Sequence, residues 1–238
     1  MASVDVVFSP AEPLPRADGW LVVDLLRAST TIVTFFERGG RRLLPVSSVA
    51  EARDLRRRLA GRWLLMGERN ALPPEGFDLG NSPLELASVD LESFDGAVMT
   101  TTNGTAALLA AASRGGVVTV AAARNGLAAV ARVSHCERVA ILCAGLEGRP
   151  ALDDTACAGG LVARLLGRGA FALSDGARMA LALYGSAPLV DLVGLSRHGG
   201  RLKALGLEAD LEYCCQEDCS NGTVRLVTWE GRPALEAF

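Results

Sequence analysis

The stretch Trp20-Leu21-Val22-Val23-Asp24-Leu25-Leu26-Arg27-Ala28-Ser29-Thr30-Thr31-Ile32-Val33 decides how this chain is built. Its first four residues are apolar at every position, so neither face of the strand they form can be left to water. A strand covered on both faces by helices belongs to a parallel α/β sheet. Asp24 and Arg27 follow, and the hydroxyls Ser29-Thr30-Thr31 then open a helical pattern that stops at Gly39-Gly40. Strand, charged turn and helix in that order put the polar residues beyond the carboxyl end of a strand, where open α/β sheets bind ligands.

The same unit recurs along the chain. Short apolar runs at 4–8, 20–25, 42–46, 63–66, 97–101, 117–121 and 139–143 read as strands. Helical patterns at 28–38, 49–60, 103–113, 126–134, 155–167 and 177–183 fall between or after them. The expectation is a three-layer α/β/α fold with a mostly parallel sheet. Past residue 187 the pattern breaks into shorter pieces: helices near 188–195 and 199–205, a segment at 211–214, and a strand or hairpin at 223–229 with Asn221-Gly222 as its turn. This divides the chain into an α/β core, 1–186, and a C-terminal α+β cap, 187–238. No linker rich in Pro, Ser or charge separates them, so one domain could hold both.

With 238 residues, half of them hydrophobic and 21% charged, the chain has the core and the balance of a soluble α/β enzyme. A net charge of −3 argues against a nucleic-acid partner, and the Arg53, Arg56, Arg57, Arg58 and Arg62 series reads as a solvated helix face. The start lacks a signal-peptide pattern and no run reaches membrane length, so a cytoplasmic location without a membrane partner is expected. The six cysteines read as reduced thiols; Cys214, Cys215 and Cys219 lack a second Cys-x2-Cys pair for zinc. Exposed strand ends and the apolar content make a homo-oligomer plausible.

Polar groups cluster where the fold would collect a ligand. Asp24 and Arg27, Glu68 and Arg69, Thr101 to Thr105, and Asp153 and Asp154 each follow a different strand. The turn Gly76-Phe77-Asp78-Leu79-Gly80-Asn81-Ser82-Pro83 adds further donors. Asp24, Glu68, Asp78 and Asp154 are hard oxygen ligands suited to Mg²⁺. A helix cap at Asp153 or Asp154 and a salt bridge at Asp78 are the competing readings. Arg27 and Arg69 can fork onto phosphate or carboxylate oxygens. Ser29, Thr30, Asn81, Ser82, Thr101, Thr102, Asn103 and Thr105 add polar contacts, helix starts add free N–H groups, and Gly104 supplies a conformation or close approach closed to other residues. Together they describe a site for a small anionic substrate.

No phosphate-binding Gly-x4-Gly-Lys loop, Gly-x-Ser-x-Gly elbow or dinucleotide fingerprint is present, and Lys203 is the sole lysine. One rival is a cysteine-dependent phosphatase using Cys143 and Arg149, whose spacing fits, although Leu142 stands where such enzymes carry histidine. A second is a non-catalytic protein that binds a phosphorylated or sulfonated metabolite.

Several long motifs in order resemble the magnesium-dependent 2-phosphosulfolactate phosphatases. They are Val4-Asp5-Val6-Val7-Phe8-Ser9, Val23-Asp24-Leu25-Leu26-Arg27-Ala28-Ser29-Thr30-Thr31, Gly67-Glu68-Arg69, the 76–85 turn, Thr100-Thr101-Thr102-Asn103-Gly104-Thr105, Cys143-Ala144-Gly145, Asp153-Asp154-Thr155-Ala156-Cys157-Ala158-Gly159 and Ser196-Arg197-His198-Gly199. The chain departs from that pattern at Asn70-Ala71, where glycines are usual, and at Arg124-Asn125-Gly126. The resemblance implies hydrolysis of (2R)-phosphosulfolactate, or a related small phosphorylated acid, to sulfolactate and phosphate, a step similar to one in coenzyme M biosynthesis. In that scheme Asp24, Arg27, Glu68 and His198 carry the chemistry, with His198 protonating the leaving alkoxide.

Overall fold

A computed structural model describes residues 1–238 and shows one ten-stranded sheet with helices on both faces. The strands are β1 (Ser3–Val7), β2 (Gly19–Val23), β3 (Leu43–Pro45), β4 (Trp63–Gly67), β5 (Gly96–Thr100), β6 (Val117–Val120), β7 (Arg138–Cys143), β8 (Ala172–Leu173), β9 (Val224–Trp229) and β10 (Arg232–Ala237). The helices are α1 (Ala28–Glu37), α2 (Val49–Arg58), α3 (Gly104–Ala112), α4 (Gly126–Val133), α5 (Leu152–Leu166), α6 (Asp175–Tyr184), α7 (Leu189–Gly194), α8 (Arg197–Ala204) and α9 (Glu208–Cys214). No helix is long and apolar enough to cross a membrane.

Alternation within single strands makes the three layers. In β2, Trp20 and Val22 pack with α1 and α3, while Leu21 and Val23 pack with α4 and α5 on the other face. In β4, Leu64 and Met66 join the α1 and α3 side, and Trp63 and Leu65 meet Ala52 and Leu55 of α2. Each of these side chains is almost fully withdrawn from water, worth about 1.5–3 kcal/mol apiece. The continuous apolar runs of the sequence are thus two interleaved faces, both covered.

The strand order is β4-β5-β3-β10-β9-β6-β2-β7-β1-β8. Two parallel groups, β4-β5-β3 and β6-β2-β7-β1-β8, are joined by the antiparallel hairpin β9-β10. The hairpin pairs with β6 at Val120 and Val224 and with β3 at Leu43 and Leu235. The segment expected as a cap is therefore divided: α7, α8 and α9 pack outside α5, while the last strands complete the sheet. The hairpin turns at Glu230 and Gly231, both with positive φ, 49° and 76°. The expected turn, Asn221-Gly222, instead leads into β9, where the Gly222 carbonyl accepts from Asn125 Nδ2.

The sheet is strongly curled. Asp24 follows β2 and Gly104 follows β5, five strand spacings apart in the order, about 24 Å if the sheet were flat. Yet a Cβ placed on Gly104 would lie 2.5 Å from Asp24 Oδ2. Helices α1 and α3 fill the concave side, and α1 is buried from Ala28 through Phe36. Curling around them brings the carboxyl ends of both parallel groups together.

Candidate active site

The ends of β2, β4, β5 and β7 and the start of α8 enclose a cavity of about 100 Å³. Asp24, Arg27, Glu68, Asn81, Thr102, Asn103, His198 and Arg201 are among its walls.

Asp24 is fixed by the turn that it begins. Its Oδ1 accepts the Ala28 N–H at 3.2 Å, its carbonyl accepts the Ser29 N–H at 2.9 Å, and its own N–H donates to Ser29 Oγ at 2.8 Å. Burial pushes its carboxyl up to about 6, with the His198 charge pulling the other way. The hydroxyls after it face inward. Ser29 bonds Val22, Thr30 bonds Leu25, and Thr31 bonds the Asn81 carbonyl. Ser29 and Thr30, expected to touch substrate, instead tie the helix to β2 and to the turn after it, because a buried hydroxyl must find an acceptor.

Glu68 braces the opposite side. Oε1 accepts the Thr102 N–H at 2.7 Å and Oε2 the Ala71 N–H at 2.8 Å, joining the loops after β4 and β5. Asn70 and Ala71 both have positive φ, 59° and 67°, so the chain places ordinary residues in a conformation that favours glycine. Thr101 and Thr105 exchange hydrogen bonds through their hydroxyls and N–H groups, leaving the loop's outward contacts to Thr102 and Asn103. Gly104 is required by close approach, since its Cβ would collide with Asp24 and Ala28.

The outer helices complete the wall. Ser196 caps α8 by accepting the Gly199 N–H, and Leu202 anchors the helix in the core, which turns His198 and Arg201 to the cavity. His198 Nδ1 bonds Asp153 Oδ2 at 2.8 Å, leaving Nε2 free. Burial alone would lower the imidazole pKa, but Asp153, Asp154 and Asp24 together raise it to about 9. From α9, buried Asp210 pairs with Arg27 Nη1 and accepts from Ser82 Oγ at 2.6 Å, while Arg27 Nη2 donates to the Ala71 carbonyl.

Several expected site residues lie elsewhere. Asp78 accepts the Leu65 N–H and pairs with Arg56, on an exposed turn that pins β4 at its edge. Asp154 gives its oxygens to the Leu25 and Gly145 N–H groups, a staple between the β2 and β7 turns, and is buried behind the cavity wall rather than on it. Arg69 bonds the Glu68 carbonyl and Thr100, and Ser82 is held by Asp210. Neither Asp153 nor Asp154 caps α5, which begins at Leu152. Cys143 is fully buried, and burial raises its thiol well above the ordinary value, while Arg149 sits on an exposed turn. A buried neutral thiol does not serve as the nucleophile of a cysteine phosphatase.

Three residues carry roles that their types did not announce: Asp153 as the partner of His198, Asp210 as the partner of Arg27, and Arg201 on the cavity wall. Arg201 stands one helical turn after His198, a spacing that could have been read from the sequence.

The cavity suits a hard cation. Asp24, Glu68 and Asn81 all offer oxygen, and Asn81 Oδ1 is buried without a hydrogen-bond partner. No three His, Cys, Asp or Glu side chains form a ready-made cage. Such a sparse oxygen set matches an ion that keeps several waters and shares substrate oxygens, as Mg²⁺ does.

Fold and cavity define an α/β enzyme whose polar pocket lies at strand ends. A sequence model of the 2-phosphosulpholactate phosphatase family matches residues 10–228. The chain is 42% identical to a probable 2-phosphosulfolactate phosphatase of Thermus thermophilus, over 90% of this chain and 89% of that protein. It is 41% identical to one of Deinococcus radiodurans, over 90% of each, and 37% to one of Pseudothermotoga lettingae, over 90% and 92%. These likenesses make it a phosphoric monoester hydrolase. The chain belongs to the 2-phosphosulfolactate phosphatase family.

Proposed function

We propose that this protein is a Mg²⁺-dependent phosphatase that hydrolyses (2R)-phosphosulfolactate, or a closely related small phosphorylated acid, to sulfolactate and phosphate. One observation carries the metal and the substrate together. Arg27 is matched by Asp210 and His198 by Asp153, which leaves Asp24 and Glu68 on the cavity wall without an ion-pair partner. Two such carboxylates repel a phosphorylated acid unless a cation joins them. Asp24 and Glu68, with Asn81, would hold Mg²⁺, which when bound supplies charge stabilisation at the phosphoryl oxygens.

The rest falls to the chain's own groups. Thr102, Asn103 and the start of α3 present polar groups to the anion. Water attacks phosphorus, the bond from phosphorus to the C2 oxygen breaks, and His198 gives that oxygen a proton from Nε2. An imidazole raised to about 9 holds its proton at neutral pH, and Asp153 fixes the tautomer and the ring. The six unpaired cysteines fit a reducing cytoplasm.

Release of inorganic phosphate from 2-phosphosulfolactate tests the reading. Chelation should abolish it, added Mg²⁺ should restore it, and Asp24→Asn should lower kcat/KM by about 100-fold or more. Undiminished turnover under chelation would remove the metal. Tight binding without release under any divalent ion would make the protein a metabolite binder.

A further inference from the structure

Resting on the proposed phosphatase reading, the charge pattern of the cavity assigns a further role to Arg201. We propose that Arg201 binds the second acid group of the substrate, the one other than phosphate, and so sets the preference for phosphorylated molecules that carry it.

The argument is one of elimination among the cations. Arg27 has its charge matched by Asp210 and two of its nitrogens bonded inside the protein. Arg69, the other guanidinium expected to grip the ligand, donates to the Glu68 carbonyl and to Thr100 Oγ1. His198 is matched by Asp153. Arg197, exposed on the same helix, faces Glu147 at 3.5 Å. Arg201 lines the same cavity and has neither an ion pair nor a side-chain hydrogen bond within the chain.

Its place on the helix fits the role. His198 and Arg201 are three residues apart on α8 and share a face, about 4.5 Å along the axis. If His198 meets the oxygen that leaves phosphorus, a group one or two carbons further along the substrate lies within reach of Arg201. A guanidinium forks onto a sulfonate or a carboxylate in the same way. The position also sits toward solvent, so a charge can wait there without the penalty that buried Arg27 would suffer unpaired.

The test compares three substrates with Mg²⁺ present: 2-phosphosulfolactate, 2-phospholactate, which lacks the sulfonate, and the phosphate ester of 2-hydroxyethanesulfonate, which lacks the carboxylate. Arg201→Gln should raise KM for 2-phosphosulfolactate about 10- to 100-fold, the loss of one charge-assisted pair, with kcat little changed. It should leave one of the two truncated substrates unaffected, and that substrate names the acid that Arg201 holds. Arg201→Lys should recover part of the loss. An equal loss on all three substrates would put Arg201 on the phosphate and overturn the assignment, as would no loss on any. Calorimetric binding of sulfolactate gives a readout free of turnover. If the wild type binds sulfolactate but releases no phosphate, the phosphatase reading falls, and weaker sulfolactate binding by Arg201→Gln still upholds the Arg201 assignment while unchanged binding ends it.

Discussion

The two parallel groups of the sheet contribute to the cavity in different ways. From the β6-β2-β7-β1-β8 side come Asp24 and Arg27, with Asp153 and Asp154 buried behind them, each held by at least one partner. The β4-β5-β3 side supplies loops whose flanks are open to water, with Leu72 half exposed and Asn70 and Ala71 in left-handed conformations. One side is a fixed block of charge, and the other is a set of loops drawn onto it by Glu68 and Arg27. The difference teaches where precision resides: in paired side chains on one half, and in backbone donors brought to them on the other.

The largest effect should come from breaking the block at Arg27. Asp210→Ala leaves a buried guanidinium unpaired and should cost about 3–5 kcal/mol in urea or thermal unfolding. A loss under about 1 kcal/mol would show that the block does not depend on this pair.

Asp153→Asn comes next. His198 has its pKa raised in the folded protein, so its contribution is complete below about pH 6.5 and disappears as pH rises through about 9. Removing the Asp153 charge should cost up to about 3 kcal/mol near pH 6 and little near pH 10. The alkaline limb of kcat/KM, near pH 9 in the wild type, should move toward about 7. A limb that stays in place would detach it from His198.

The contact between the two groups is tested by Gly104→Ala. The new methyl collides with Asp24 and Ala28, and overpacking of this kind costs about 1–3 kcal/mol. Mg²⁺ affinity, read by calorimetry, should fall with it, because Asp24 must move. Ala71→Gly should act in the opposite direction on the loop side. Relief of a positive φ should stabilise the fold by about 1 kcal/mol in a thermal melt. Destabilisation would mean that the loop needs the alanine side chain.

Much of this was legible in the sequence, because the signals were local. Leu21-Val22-Val23 and Trp63-Leu64-Leu65-Met66 announced covered strands, and Asp24, Glu68, Asn81, Thr102 and His198 line the cavity. What was hidden depends on direction and distance. Ser29, Thr30, Thr101 and Thr105 advertised hydroxyls, yet whether a hydroxyl faces a ligand or a carbonyl is decided by burial and packing. Asp210 meets Arg27 across 183 positions of chain, and no spacing rule encodes such a pair. The hairpin escaped for a similar reason. Glu230-Gly231 lacks the Asn or Asp that usually marks such turns, and pairing of β9 with β6 is not written in either strand alone.

The central hairpin also puts a clock on assembly. During synthesis, β1 to β8 emerge as two parallel fragments, one ending at β3 and the other beginning at β6, and no strand yet joins their edges. Only when residues 224–237 leave the ribosome can the ten strands close into one sheet. Until then Asp24 and Glu68 stand at the ends of two separate sheets, and the frame that fixes the distance between them is the last part of the chain to be made.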